Sequence, residues 1–232
     1  MKAIALVVFM LTTGMHATNT DWKKERTVSD FKGLSVNSGI DVYLTQGNSE
    51  KLTLEVKGYD EDQVISRVRN GVLELNIDRK GMNWNIGNNK HVKAYITFRQ
   101  LDNLQSGGGS DVTGQGTLTF KDLNLGASGG ADVKLTLKAD ELNVEASGGA
   151  DATLQGSART LNASGSGGAD LDARKLSVEI CNANSSGGSD VYVNASRELT
   201  MKASGGSDIY YSGSAKVLAS SKSGGSDITR RD

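Results

Sequence analysis

Seven times in this chain a Gly-Gly corner is followed by a small residue and an aspartate, and that recurrence leaves few folds open. Aligned on the aspartate, the copies are Asp111, Asp132, Asp151, Asp170, Asp190, Asp208 and Asp227, at intervals of 21, 19, 19, 20, 18 and 19 residues. A period near twenty with constant punctuation is the signature of a solenoid. Each repeat is a unit that cannot bury its own apolar face, and stacking supplies the missing neighbour. Asp41, in NSGIDVYL, is a degenerate eighth copy set apart by a long interruption.

The residues around each aspartate alternate with period two. At plus one stand Val112, Val133, Ala152, Leu171, Val191, Ile209 and Ile228. At plus three, Leu135, Leu154, Val193 and Tyr211 continue the pattern. Before the corner, Leu123, Leu142, Leu161, Cys181, Leu199 and Leu218 occupy minus nine, and Leu125, Val144, Ala163, Ala183 and Met201 occupy minus seven. Alternation on both sides of a glycine corner means strand, turn, strand, and no helical period fits. Equivalent strands then stack in parallel about 4.8 Å apart, with right-handed connections. The expected fold is all-β: a right-handed parallel β-helix of about 19–20 residues and two or three short strands per coil. Cys181 falls in the inward register and reads as a small core residue.

The two glycines permit the backbone angles of a tight corner. Serine at minus four and the aspartate itself are placed to accept hydrogen bonds from corner N–H groups. The aspartate has the opposite parity to the apolar plus-one residue, so it faces outward, and seven in register form a ladder. Repulsion between neighbours costs roughly 1 kcal/mol or less per pair in water, which turn capping offsets. Two other readings compete. Calcium takes six to eight oxygen ligands, some of which such a ladder offers. Two-carboxylate chemistry would use the same side chains, but an active site breaks a repeat, and all seven aspartates keep one position. The ladder therefore reads as structural, with no metal and no cofactor.

Residues 28–105 depart from the repeat. FKGLSVNSGIDVYLTQG reads as the first coil, and KLTLEVKG, GVLELNID and HVKAYITF as strands. YDEDQVISRVRNG reads as a short helix with Asp60 near its cap and Val64, Ile65 and Val68 on one face. Together 28–105 form a first coil with a mixed β cap over the N-terminal end, and 106–229 form the repeat β-helix, one continuous head. Residues 1–17, with Lys2, the apolar run Ala3–Leu11 and Ala17, read as a secretory signal peptide. The protein is thus expected to be exported, to the periplasm, the cell surface or the medium. A net charge of −1 gives no footprint for nucleic acid. One cysteine makes no internal disulfide, and with His91 the one histidine beyond residue 17, a zinc site has no ligand set.

Candidate ligand contacts are few. Trp84, in the polar loop RKGMNWNIGNN, is a candidate carbohydrate platform, and its own packing is the competing reading. Tyr192 and Tyr210 stand at plus two in adjacent coils, where they are expected to stack on the outer face; an exposed aromatic pair is either a binding patch or a stabilising ladder.

FKGLSVNSGIDVYLTQGNSEKLTLEV, then GVLELNI, then a train of SGGSDV-like corners, resembles the exported Bacteroidetes family described as "putative auto-transporter adhesin, head GIN domain". The resemblance spans about residues 28–228. It implies a β-helical head in the envelope or outside the cell, and it brings no catalytic residues. The expectation is an adhesin-like binding or structural protein, not an enzyme, with a glycan or cell-surface protein as partner. Two alternatives stay open: a carbohydrate-active enzyme using carboxylates of the solenoid face, and an envelope protein that self-associates.

Overall fold

The computed structural model describes residues 21–79 and 90–231. It is a β-solenoid of about seven turns with no helix among these residues. Eight strands build the N-terminal part: β1 (Trp22–Arg26), β2 (Gly33–Val36), β3 (Ile40–Gln46), β4 (Lys51–Lys57), β5 (Val64–Arg69), β6 (Val72–Ile77), β7 (His91–Phe98) and β8 (Asn103–Ser106). The repeats follow as β9 (Val112–Ser128), β10 (Asp132–Ser147), β11 (Asp151–Gly165), β12 (Asp170–Gly187) and β13 (Asp190–Gly205). β14 (Asp208–Ser212), β15 (Lys216–Gly224) and β16 (Asp227–Arg230) complete the last coils.

Each repeat is one coil, and β9 to β13 pair in parallel with their neighbours. The aspartates define the register: Asp132 pairs with Asp151, Asp151 with Asp170, Asp170 with Asp190, Asp190 with Asp208, and Asp208 with Asp227. Instead of two or three short strands, each full coil is one bent strand of 15–18 residues. The second bend is taken without breaking the pairing. In β10, Val133, Leu135 and Leu137 point inward, then Leu142, Val144 and Ala146, with the phase shifted across Ala139–Glu141.

Stacked coils turn these positions into columns. Leu123, Leu142, Leu161, Cys181 and Leu199 form one, and each is at most 1% exposed. Each leucine so buried contributes about 1.5–3 kcal/mol relative to exposure. Cys181 stands in this column, where burial pushes its thiol pKa up to about 12, so it is a core residue and a poor nucleophile.

The first glycine of the corner is required. Gly187 has φ +77°, and a Cβ there would lie 3.1 Å from both N and O of Gly167 in the coil below. The residue before each aspartate is buried at all seven corners: Ser110, Ala131, Ala150, Ala169, Ser189, Ser207 and Ser226. Where it is serine in the C-terminal coils, its hydroxyl closes the corner. Ser189 Oγ accepts from the Ser186 N–H at 3.2 Å and donates to the Ser186 carbonyl at 3.0 Å, and Ser207 and Ser226 repeat the pattern with Ser204 and Ser223.

The N-terminal part is a mixed cap threaded out of order. β2 lies between β6 and β8, and β3 between β7 and β9, all parallel. The first coil in sequence is thus second in the stack, beneath the coil of β6 and β7. Outside these, β4 runs antiparallel to β7, β1 to β4, and β5 to β6, closing the edge that a solenoid end exposes.

The helix expected over YDEDQVISRVRNG is not formed. Val64–Arg69 is strand β5, joined to β6 by Asn70 and Gly71 at φ 51° and 74°. Asn-Gly between paired residues Arg69 and Val72 is the signal for a two-residue hairpin. It outweighs the weak helical spacing of Val64, Ile65 and Val68, whose β-branched side chains favour a strand.

The C-terminal end is open. Every residue of β15 is exposed, with Val217 at 39% and Leu218 at 54%. There the Arg231 guanidinium lies over the Tyr210 ring, and its backbone N–H bonds the Tyr211 carbonyl.

Candidate functional site

The aspartate ladder runs along the corner edge, and Asp41 joins it. Val42 pairs with Val112 and its N–H bonds the Asp111 carbonyl at 2.7 Å, which sets Asp41 beside Asp111. Beyond Asp41 the row changes sign: its partner in β7 is Lys93, then Glu55, then Lys23, with Lys23 and Glu55 paired at 3.5 Å. The carboxylates bond between coils and along their own strands. Asp208 accepts from the Asp227 N–H at 3.0 Å and from the Tyr210 hydroxyl at 3.0 Å. Asp227 meets Lys222 at 3.0 Å, and Asp132 meets Lys134 at 3.7 Å. Among the described residues no group of three or more His, Cys, Asp or Glu converges as metal ligands would.

Tyr192 and Tyr210 stack at 4.8 Å between ring centroids. Both outer faces of the pair are covered. Arg174 lies 4.6 Å from the Tyr192 ring and Arg231 4.0 Å from that of Tyr210. Arg174 is held by Asp172, with Nε 2.9 Å from Oδ1. A sugar would have to displace an arginine to reach either face. A second pair, Tyr43 and Tyr95 at 5.1 Å, occupies the same outward row at its N-terminal end. Trp84 lies outside the described residues.

The opposite outer face carries a second ladder. Asn124, Asn143, Asn162 and Asn182 stand in register, and each amide nitrogen donates to the oxygen of the one before, at 3.0, 2.7 and 2.9 Å. Their signal is in the sequence, at minus eight from Asp132, Asp151, Asp170 and Asp190. Isolated asparagines between apolar residues simply read as outward strand positions.

A large depression lies elsewhere. In β9 to β13 the strand runs unbroken through the second bend. In the first coils the chain instead departs into β4 after Gln46 and crosses to β8 after Phe98, which opens a cleft of about 920 Å³. Four chain passages line it, at 30–33, 47–50, 70–72 and 99–103. A neighbouring hollow of about 600 Å³ shares Lys32, Arg99, Gln100 and Asp102 with it, so the two form one trough. Glu50 sits beneath: its side chain is 6% exposed, Oε1 accepts from Arg99 Nε at 3.1 Å, and Oε2 accepts from the Asp30 N–H at 2.6 Å. No ladder aspartate lines this trough.

The family model described as "Putative auto-transporter adhesin, head GIN domain" matches residues 30–215. The chain belongs to this family. A crystal structure named "putative adhesin" from Bacteroides fragilis superposes on this head GIN domain with TM-score 0.84 at 24% identity, covering 91% of this chain and 97% of that one. A "putative adhesin" from Parabacteroides distasonis gives TM-score 0.74 at 20% identity, with 92% and 98% covered. A "putative lipid binding protein" from the same species gives 0.68 at 15%, with 93% and 98% covered. At these identities the likeness shows the fold. Among curated proteins no sequence matches. No helix among the described residues is long and apolar enough to cross a membrane.

Two ladder carboxylates of the head GIN domain titrate above the usual range. Burial raises the pKa of Asp41, followed by the charge of Asp111; burial raises that of Asp170, followed by Asp151 and Asp190. A folded pKa above the unfolded value means that the native state holds its proton more tightly. The stability so contributed is full below the ordinary carboxylate value and is lost as pH rises through the folded pKa. At neutral pH these two positions are therefore mildly strained. Asp170→Asn removes the charge and keeps an oxygen for the Asp190 N–H that bonds it. It is expected to raise the melting temperature by about 1 °C at pH 7, with the gain disappearing in mild acid. A loss at pH 7 in calorimetric scans would show that the charge itself is needed.

Proposed function

We propose that this head GIN domain is an exported, adhesin-like binding protein of the cell envelope, with residues 28–229 acting as one continuous head and performing no chemistry on its ligand. The observation that carries this reading is the uniformity of the corner edge. Its carboxylates share one register position; Asp208 accepts from the next coil's N–H and from its own strand's tyrosine, and Asp227 and Asp132 meet lysines. Catalysis by two carboxylates needs an acid and a base converging on one substrate; the ladder sets its carboxylates in a single row at one register position, and none of them lines the trough. The family and its named neighbours, adhesins in the main, support binding as the activity. The aspartates then serve as architecture: they order the edge and keep it soluble.

Two measurements test this. Calcium or a chelator should leave the melting temperature where it was; a rise of many degrees with calcium would make the ladder a metal site. Incubation with immobilised glycans and with intact cells should give retention without turnover. Release of new reducing ends in proportion to protein would make the protein a glycosidase and overturn the reading.

A further inference from the structure

The trough at the second bend of the first coils lies where the solenoid departs from its repeat. A regular coil presents the same shallow outer surface at every level, whereas this trough is assembled from four passages that only the out-of-order threading brings together. Its volume of about 920 Å³ is in the range of ligand pockets, about 300–1,000 Å³. Its chemistry is unlike a lipid or drug pocket. Lys32, Arg99, Gln100, Asp102 and Asp30 present donors and acceptors side by side, and Phe31 in the lining is only 1% exposed. An apolar ligand would strip these groups of water and return no hydrogen bonds. An anion would meet Asp30, Asp102 and Glu50 as well as the two cations. A neutral polyhydroxylated ligand satisfies both kinds of group, since each hydroxyl both donates and accepts.

The trough is also held in shape before any ligand arrives. The nearly buried Glu50 carboxylate clamps the guanidinium of Arg99 through Nε and the chain at Asp30 through its N–H. One terminal nitrogen of Arg99 lies 3.8 Å from Oδ1 of Asp30, which also lines the trough. A planar donor fork fixed from behind loses little entropy when it bonds a ligand.

We infer that this trough, lined by Lys32, Arg99, Gln100 and Asp102, is a carbohydrate site that takes a short segment of a neutral oligosaccharide. This rests on the binding reading above and goes beyond it in naming the place and the ligand class.

The test uses the intact protein on an array of neutral oligosaccharides, acidic oligosaccharides and phospholipid spots, followed by titration calorimetry with any retained compound. The variants are Gln100→Ala with Asp102→Asn at the trough, and Tyr192→Ala on the corner-side face. The expected result is retention of neutral oligosaccharides, weakened about tenfold or more in the trough double variant and unchanged in Tyr192→Ala. Sugar binding that falls with Tyr192→Ala and not with the trough variant overturns the inference, as does capture of phospholipid or of acidic sugars alone. If no glycan is retained while the protein still binds intact cells, the trough inference fails and the binding reading stands. If neither is bound, both fail.

Discussion

Gly156→Ala is expected to destabilise the protein by about 3 kcal/mol or more, lowering the melting temperature by about 6–12 °C. Gly156 sits at φ +113°, which a side chain strongly disfavours. It also lies against the backbone of the coil beneath. A Cβ would be 2.0 Å from the carbonyl oxygen of Leu137, 3.0 Å from its carbon and 3.1 Å from its nitrogen. These are backbone atoms of the paired strand, so no rotamer change moves them aside. Relief requires the β10–β11 ladder to open, and that ladder is what holds the inward columns in register. Gly149→Ala is the control: nothing lies within 4 Å of its Cβ, and the change should stay within about 0.5 kcal/mol. Thermal melts of the two variants separate the cases. A Gly156→Ala protein that melts with wild type would mean that the coils pack more loosely at this bend than the geometry allows.

The repeat made the coils legible because period and register are one quantity in a solenoid. Setting Asp132 over Asp151 and Asp170 also sets Leu142 over Leu161 and Cys181. The inward set, the outward tyrosine pair and the aspartate row therefore follow from one alignment. What did not follow were features lacking that redundancy. The bend inside a coil is taken across residues such as Ala139–Glu141 while β10 and β11 stay paired on both sides of it, so alternation suggests separate strands where one runs through. Over Val64–Arg69 a weak helical spacing competes with the Asn70-Gly71 hairpin signal, and the hairpin wins. The place of β2 and β3 in the middle of the stack is a matter of threading, which local pattern does not encode. The trough is hidden for the same reason: Lys32, Glu50 and Arg99 are unremarkable alone, and only the crossing of the first coils unites them. Trp84, Tyr192 and Tyr210 are conspicuous in the sequence as aromatics, yet both outer faces of the Tyr192–Tyr210 pair are covered by Arg174 and Arg231.

If each aspartate-to-aspartate interval is one structural coil with no separate function, a whole coil is removable. Deleting residues 151–169 joins Ala150 to Asp170 and recreates the same corner sequence, Gly-Gly-Ala-Asp. β10 then stacks on β12, with Asp132 over Asp170, Leu142 over Cys181 and Asn143 over Asn182, each pair already related through β11. The trough, built from residues 30–33, 47–50, 70–72 and 99–103, is untouched. Deleting 151–160 instead removes about half a coil, sets the strand following the corner half a coil out of phase, and exposes columns that were buried. Because repeat stability is a sum of units and nearest-neighbour interfaces, loss of one complete unit costs one interface and leaves a cooperative fold. Loss of half a unit breaks every interface above it.

The measurement is circular dichroism with thermal unfolding of the 151–169 deletion beside the full protein. The expected result is a soluble protein with an unchanged β spectrum per residue, one cooperative transition and undiminished ligand retention. A deletion product that is unfolded or aggregated, behaving like the 151–160 deletion, would contradict the claim that these aspartate corners are interchangeable pieces of architecture.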